Sequence, residues 1–186
     1  MLKTFFSFKR LNTKEVSTIS MLIALTVVLS YISGFLRIGN ISKFSISFIS
    51  VFIAAAAFGP LIGGFVGGAA DIISYVFNPT GVYLWQLSAI EFIYGFIFGI
   101  LFYNMTLKGA KDKFLWVKIL LCVLIQLAIN LFVKTLVLMS VGYLPLSFFL
   151  SVSMRAPACF IMAVFQIILI GAGSRFMPGF LKIIRN

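Results

Sequence analysis

Apolar residues run in long blocks along this chain, at about 17–36, 42–58, 61–77, 86–106, 115–140 and 146–172. Short stretches of turn chemistry separate them: Gly39-Asn40, Gly59-Pro60, Asn78-Pro79-Thr80-Gly81, Lys108-Gly109 and Gly142-Tyr143-Leu144-Pro145. Pro60 and Pro79 end helices because proline lacks an N–H and disfavours helix in the residue before it. A helix needs about 20 mostly apolar residues to cross a bilayer. The pattern therefore predicts six spans with short connections. There is no internal repeat and no low-complexity tract.

Composition agrees. Of the 186 residues, 62% are hydrophobic and 10% charged, and the mean hydropathy is +1.15. A soluble domain is about 25% charged. A chain this apolar needs the bilayer as its solvent, so the expected fold is an all-α integral membrane protein, one domain over residues 1–186. Lys3, Lys9, Arg10 and Lys14 ahead of an apolar run resemble the start of a signal peptide. The run from Ile19 to Leu36 is long enough to span, however, and lacks an Ala-x-Ala site. It is expected to be retained as the first helix. Cys122 and Cys159 sit inside apolar runs in a chain without histidine. They read as small core hydrophobes, not as a disulfide or metal site, and no cofactor is expected.

The positive charges set the orientation. Four stand at the N-terminus (Lys3, Lys9, Arg10, Lys14), four in or beside the loop after span four (Lys108, Lys111, Lys113, Lys118), and three at the C-terminus (Arg175, Lys182, Arg185). Six spans place these eleven on one side, against Arg37 and Lys43 on the other. By the positive-inside rule both termini are cytoplasmic.

Four ionisable residues remain inside spans: Asp71, Glu91, Lys134 and Arg155. Each costs about 2.5–3.5 kcal/mol at mid-bilayer. At about 1.5 Å of rise per residue all four lie within roughly 15 Å of the extracellular surface. Helical spacing groups them further. Gln126, Asn130 and Lys134 recur every four residues in span five. Arg155, Cys159, Met162 and Gln166 share a face in span six, and Ser88, Glu91, Gly95 and Gly99 share one in span four. Three polar stripes would wall a cavity in the extracellular half, with Tyr83 and Trp85 at its rim.

Each of these residues has a plainer reading. Tyr83, Trp85 and Tyr143 fit an interfacial aromatic belt. Glu91 and Lys134, at matching depth, fit a structural ion pair. Asp71 fits a structural role beside Gly63 and Gly67, whose four-residue repeat makes a close-packing face. Arg155 resists such a reading, because a guanidinium cannot lose its charge and needs an anion. No P-loop, His-Glu pair, Cys-His pair or Ser-Lys signature is present. The chain carries no engine for hydrolysis or ATP use, so binding is expected and enzyme activity is not.

The stretch "RIGNISKFSISFISVFIAAAAFGPLIGGFVGGAADIISYVFNPTGVY", followed by "IYGFIFGILFYN" and later "KTLVL" before an arginine, resembles the folate-type S components of energy-coupling factor (ECF) vitamin transporters. The resemblance implies a six-helix subunit of a bacterial cell membrane that captures a vitamin from outside. It also implies partners: a transmembrane T component, driven by two cytoplasmic ATPases. Ser17, Ser20 and Ala24 on span one match the small-residue face that docks on the T component. Folate or a related pteridine is the implied substrate. Arg37, Lys134 and Arg155 would meet its carboxylates, Tyr83 or Trp85 would stack on its ring, and Glu91 would accept from the ring's N–H edge. Asn130 completes the expected set. Two positions depart from the folate pattern: Glu91 stands where glycine is usual, and Lys134 where asparagine is. The alternatives are an S component for another water-soluble vitamin, and a stand-alone ion-coupled carrier or small membrane enzyme using Asp71 and Glu91.

Overall fold

The computed structural model describes residues 12–35, 37–38, 42–43, 45–79, 81–103, 113–142, 144 and 147–185. These form helices α1 (Thr13–Phe35), α2 (Phe48–Phe58), α3 (Pro60–Phe77), α4 (Trp85–Phe102), α5 (Lys113–Leu131), α6 (Val133–Ser140) and α7 (Phe148–Arg185). A two-stranded ribbon, β1 (Arg37–Ile38) and β2 (Ser42–Lys43), links α1 to α2 and pairs Arg37 antiparallel with Lys43. The start of α1 is capped reciprocally: Asn12 Oδ1 accepts from the Thr13 N–H, and Glu15 Oε2 accepts from the Asn12 N–H at 2.9 Å.

Among the described residues, five stretches are long and apolar enough to cross a membrane: Thr13–Gly34, Pro60–Phe77, Trp85–Phe102, Phe114–Ser140 and Phe148–Gly173. The second expected span differs. It was to begin at residue 42, but α2 begins at Phe48 and has 11 residues, about 16 Å of helix. The reason lies in Lys43-Phe44-Ser45-Ile46-Ser47, which alternates polar and apolar with a period of two and so suits extended chain. The fifth expected span is one apolar run interrupted at Phe132, where α5 ends and α6 begins.

A single residue, Gly59, separates α2 from α3. It has φ +100°, which a side chain would strain, and Pro60 follows at the first helical position. The chain doubles back there. A Cβ on Gly63 would collide with Ala55, and one on Gly67 would lie 3.5 Å from Val51, so α2 and α3 pack antiparallel. The α3–α4 pair is tighter still. A Cβ on Gly95 would run into the Gly63 carbonyl, one on Gly99 into Pro60, and one on Gly67 would sit 2.7 Å from the Glu91 carbonyl. Two antiparallel backbones thus touch along a seam with almost no side chains between them, the close approach that small residues permit in membranes.

The core lies beside this seam. Phe52 packs edge-on against Phe98 and Phe102, with ring centroids 5.4 and 5.1 Å apart. Val66, Ile119 and Cys122 are buried around them. Outward-facing positions stay apolar, among them Met21, Phe65, Val76, Phe149 and Val164, a surface suited to lipid.

Candidate functional site

A cavity of about 450 Å³ lies among all seven helices, with Phe48 and Val51 of α2 in its lining, at the end of the bundle that carries the connection from α3 to α4. Phe98 lines its inner end, while Asn78, Val82 and Tyr83 border the connection. One wall is charged. Lys134 Nζ lies 3.2 Å from Glu91 Oε1, an ion pair joining α6 to α4, with the two side chains 25% and 34% exposed. Both residues line the cavity.

Arg155 on α7 lines the same wall and is only 4% exposed. Its Nη1 donates to Thr135 Oγ1 at 2.7 Å and its Nη2 to Asn130 Oδ1 at 3.0 Å. Both partners are neutral. Its buried Nε has no hydrogen-bond partner, and among the described residues no carboxylate comes within ion-pair distance. The guanidinium is held in place but not neutralised.

The opposite wall is neutral or internally satisfied. Asp71 Oδ2 accepts from Ser88 Oγ at 2.6 Å, and Ser88 Oγ lies 2.8 Å from the Tyr83 hydroxyl. The Tyr83 ring rests on Tyr75 at 4.9 Å, and Tyr75 donates to the Gly81 carbonyl at 2.7 Å. These bonds tie the 78–84 connection to α3 and α4. Hydroxyls of Thr26, Ser30 and Ser33 on α1 complete this wall. Among the described residues no group of three or more His, Cys, Asp or Glu side chains could hold a metal. Cys122 and Cys159 are both buried and unbridged.

The structure brings Tyr83, Glu91, Asn130, Lys134 and Arg155 to one cavity. Trp85 is different. At the start of α4 it is 68% exposed and does not line the cavity, because its side chain points outward from the bundle. Arg37 is placed in β1, with its side chain outside the described part, and Tyr143 lies outside the described residues. The stripe expected in span four also divides: Ser88, Gly95 and Gly99 face α3, and Glu91 alone faces the cavity. In span six, Arg155, Cys159, Met162 and Gln166 all line it.

Several lining residues escaped the sequence reading. Thr26, Ser30 and Ser33 are spaced by four and three, a helical signal that single hydroxyls in a membrane helix obscure. Thr135, which does not line the cavity but holds Arg155 there, lies five residues from Asn130 and breaks the period of four. On the far side of α1, Ser17, Ser20 and Ala24 are all exposed, turned away from buried Ile19, Leu22 and Thr26.

Comparison with known proteins gives this geometry a family. Residues 14–172 match the family model described as ECF transporter, substrate-specific component. The folate transporter FolT of Clostridium novyi (strain NT) is 30% identical over 112 residues, 60% of this chain and 60% of that protein. The chain thus spans about 60% of the length of the curated relative it matches. A crystal structure of FolT bound with folic acid superposes with a TM-score of 0.73 at 25% identity, covering 87% of this chain and 95% of the other. A family match over most of the chain, on a bundle of apolar helices around a polar cavity, settles the class: this membrane protein belongs to the substrate-specific components of ECF transporters.

Proposed function

We propose that this chain is the folate-binding subunit of an ECF importer and captures folate, or a close pteridine relative, from outside the cell. One observation carries the reading: a buried arginine in an otherwise suitable cavity, without a counter-charge among the described residues. A buried charge without a partner is costly, and a ligand carboxylate would supply the missing anion. Folate carries two carboxylates on its glutamyl tail and a flat ring with an N–H edge. Arg155, with Lys134 and Arg37, takes the carboxylates. Tyr83 flanks the ring, Glu91 accepts from its donors, and Asn130 steadies Arg155. FolT, with its folic-acid complex, supports this choice.

The architecture is read as one domain with six crossings, α2 and the segment before it forming the short second one. Antiparallel packing of α2, α3 and α4 favours this count, and with six crossings eleven basic residues would fall on one side, in keeping with the positive-inside rule. Both termini then face the cytoplasm, and the cavity occupies the extracellular half. The setting is a bacterial cell membrane. A T component docks on Ser17, Ser20 and Ala24, two ATPases supply the energy, and the chain itself performs no reaction and needs no cofactor.

The Glu91–Lys134 pair favours a second reading, an S component for another vitamin that bears both charges. Reconstitution distinguishes the classes: folic acid uptake should require the T component, both ATPases and ATP. Uptake by this chain alone under an ion gradient would contradict the proposal.

A further inference from the structure

We infer that Thr135 is a positioning residue for the substrate carboxylate: it does not reach the cavity, yet it sets the aim of Arg155. This rests on the reading of Arg155 as the carboxylate anchor. Thr135 is fully buried at 0% exposure and is absent from the cavity wall, so a ligand cannot touch it. Its hydroxyl nonetheless accepts the 2.7 Å bond from Arg155 Nη1, the shorter of the two that hold the guanidinium.

Two residues of one span grip the same group. Positions five apart on a regular helix point about 140° away from each other. Asn130 and Thr135 are five apart, and the break between α5 and α6 at Phe132 keeps the helical phase: Phe132 has helical dihedrals and its N–H donates to the Ala128 carbonyl at 2.9 Å. The ladder continues beyond it with the Leu136 N–H donating to the Phe132 carbonyl at 3.1 Å. The Arg155 guanidinium therefore bridges two flanks of the span, with Nη2 on Asn130 at the end of α5 and Nη1 on Thr135 in the first turn of α6.

Holding both terminal nitrogens has a chemical consequence. A guanidinium has five N–H donors in one plane. Thr135 and Asn130 take two, one at each terminal nitrogen, and fix the orientation of that plane. The remaining terminal N–H donors are presented in a set geometry that a planar carboxylate can match. A guanidinium free to rotate would keep its charge and lose that match. Thr135 therefore separates carboxylate ligands from their neutral counterparts more than it strengthens binding in general.

The test compares folic acid with its neutral bis-amide, in which both glutamyl carboxylates are carboxamides, on the full chain in lipid nanodiscs. Thr135→Val removes the hydroxyl at nearly constant volume, and Thr135→Ser keeps it. Thr135→Val should weaken folic acid about tenfold, as for loss of a hydrogen bond to a charged group, and leave the bis-amide unchanged. Thr135→Ser should restore folic acid binding to within about twofold of wild type, on the same reasoning. Equal weakening of both ligands, failure of Ser to rescue, or no weakening would each overturn the role of Thr135. If Thr135→Val does not yield folded protein, Thr135→Cys, a weak acceptor, should lower the folic acid to bis-amide affinity ratio in the same direction. An unchanged ratio there would also overturn it. A wild-type chain that binds both ligands equally would remove the carboxylate reading of Arg155, and this inference with it. Discrimination by wild type that survives Thr135→Val would remove the inference alone.

Discussion

Lys134 Nζ on α6 and Glu91 Oε1 on α4 lie 3.2 Å apart at the wall of the cavity, each side chain a quarter to a third exposed to it. They are the two positions read from the sequence as departures from the folate-type pattern, and the structure joins them in one ion pair. Partial exposure places the pair between a surface ion pair and a fully buried one. Glu91→Gln or Lys134→Gln alone should cost on the order of 1–3 kcal/mol, read as a lower midpoint of thermal unfolding in detergent. The double substitution should recover most of that loss, because no uncompensated charge remains. It should still bind folic acid more weakly than wild type, since both side chains face the ligand. Full affinity in the double variant would make the pair purely structural.

Tyr83 and Trp85 separate cleanly. Trp85 is 68% exposed and off the cavity, so Trp85→Ala should leave folic acid affinity within about twofold of wild type, as for a surface site. Tyr83→Phe removes the hydroxyl that meets Ser88 on the route to Asp71. About 1 kcal/mol, or some fivefold in affinity, is the expected loss. Titrations of both variants check the assignment, and a larger effect at Trp85 would reverse it.

Much of the site was legible because membranes penalise stray polarity. Gln126, Asn130 and Lys134 recur every four residues, and all three line the cavity. Arg155 stood out because its charge cannot be removed. Thr135 was hidden because it stands beside the period-four stripe of Gln126, Asn130 and Lys134 and not on it. Thr26 and Ser33 were hidden because a hydroxyl in an apolar helix can bond its own backbone, and both do so, to Leu22 and Leu29 at 2.6 Å. Trp85 misled because sequence places it beside the connection without showing which way the first turn of α4 points. The start of α2 was misread because hydropathy alone ignored the two-residue alternation across 43–47.

Gly95 marks the tightest point of the α3–α4 seam. A methyl group there would collide with the Gly63 carbonyl, and backbone cannot step aside as a flexible side chain can. Gly95→Ala should destabilise the protein by about 1–3 kcal/mol, the cost of overpacking. Gly173, with nothing within 4 Å of its would-be Cβ, serves as control. Gly173→Ala should be neutral or slightly stabilising, since alanine favours helix by about 1 kcal/mol. Comparable thermal midpoints for the two variants would contradict the seam.

Ala24 tests the outer face of α1. Ser17, Ser20 and Ala24 are exposed there, leaving room for a partner helix to approach closely. Ala24→Trp should abolish ATP-dependent uptake in the reconstituted transporter while leaving folic acid binding intact. Unchanged uptake would move the docking surface elsewhere.

The central claim is that the cavity exists to bind an anionic pteridine. Titration of the purified chain in lipid nanodiscs with folic acid, with its neutral bis-amide and with other water-soluble vitamins tests it most directly. Saturable one-to-one binding of folic acid is expected, with the bis-amide weaker and the other vitamins unable to compete. No binding of folic acid, or its displacement by a vitamin without a carboxylate, would contradict the account.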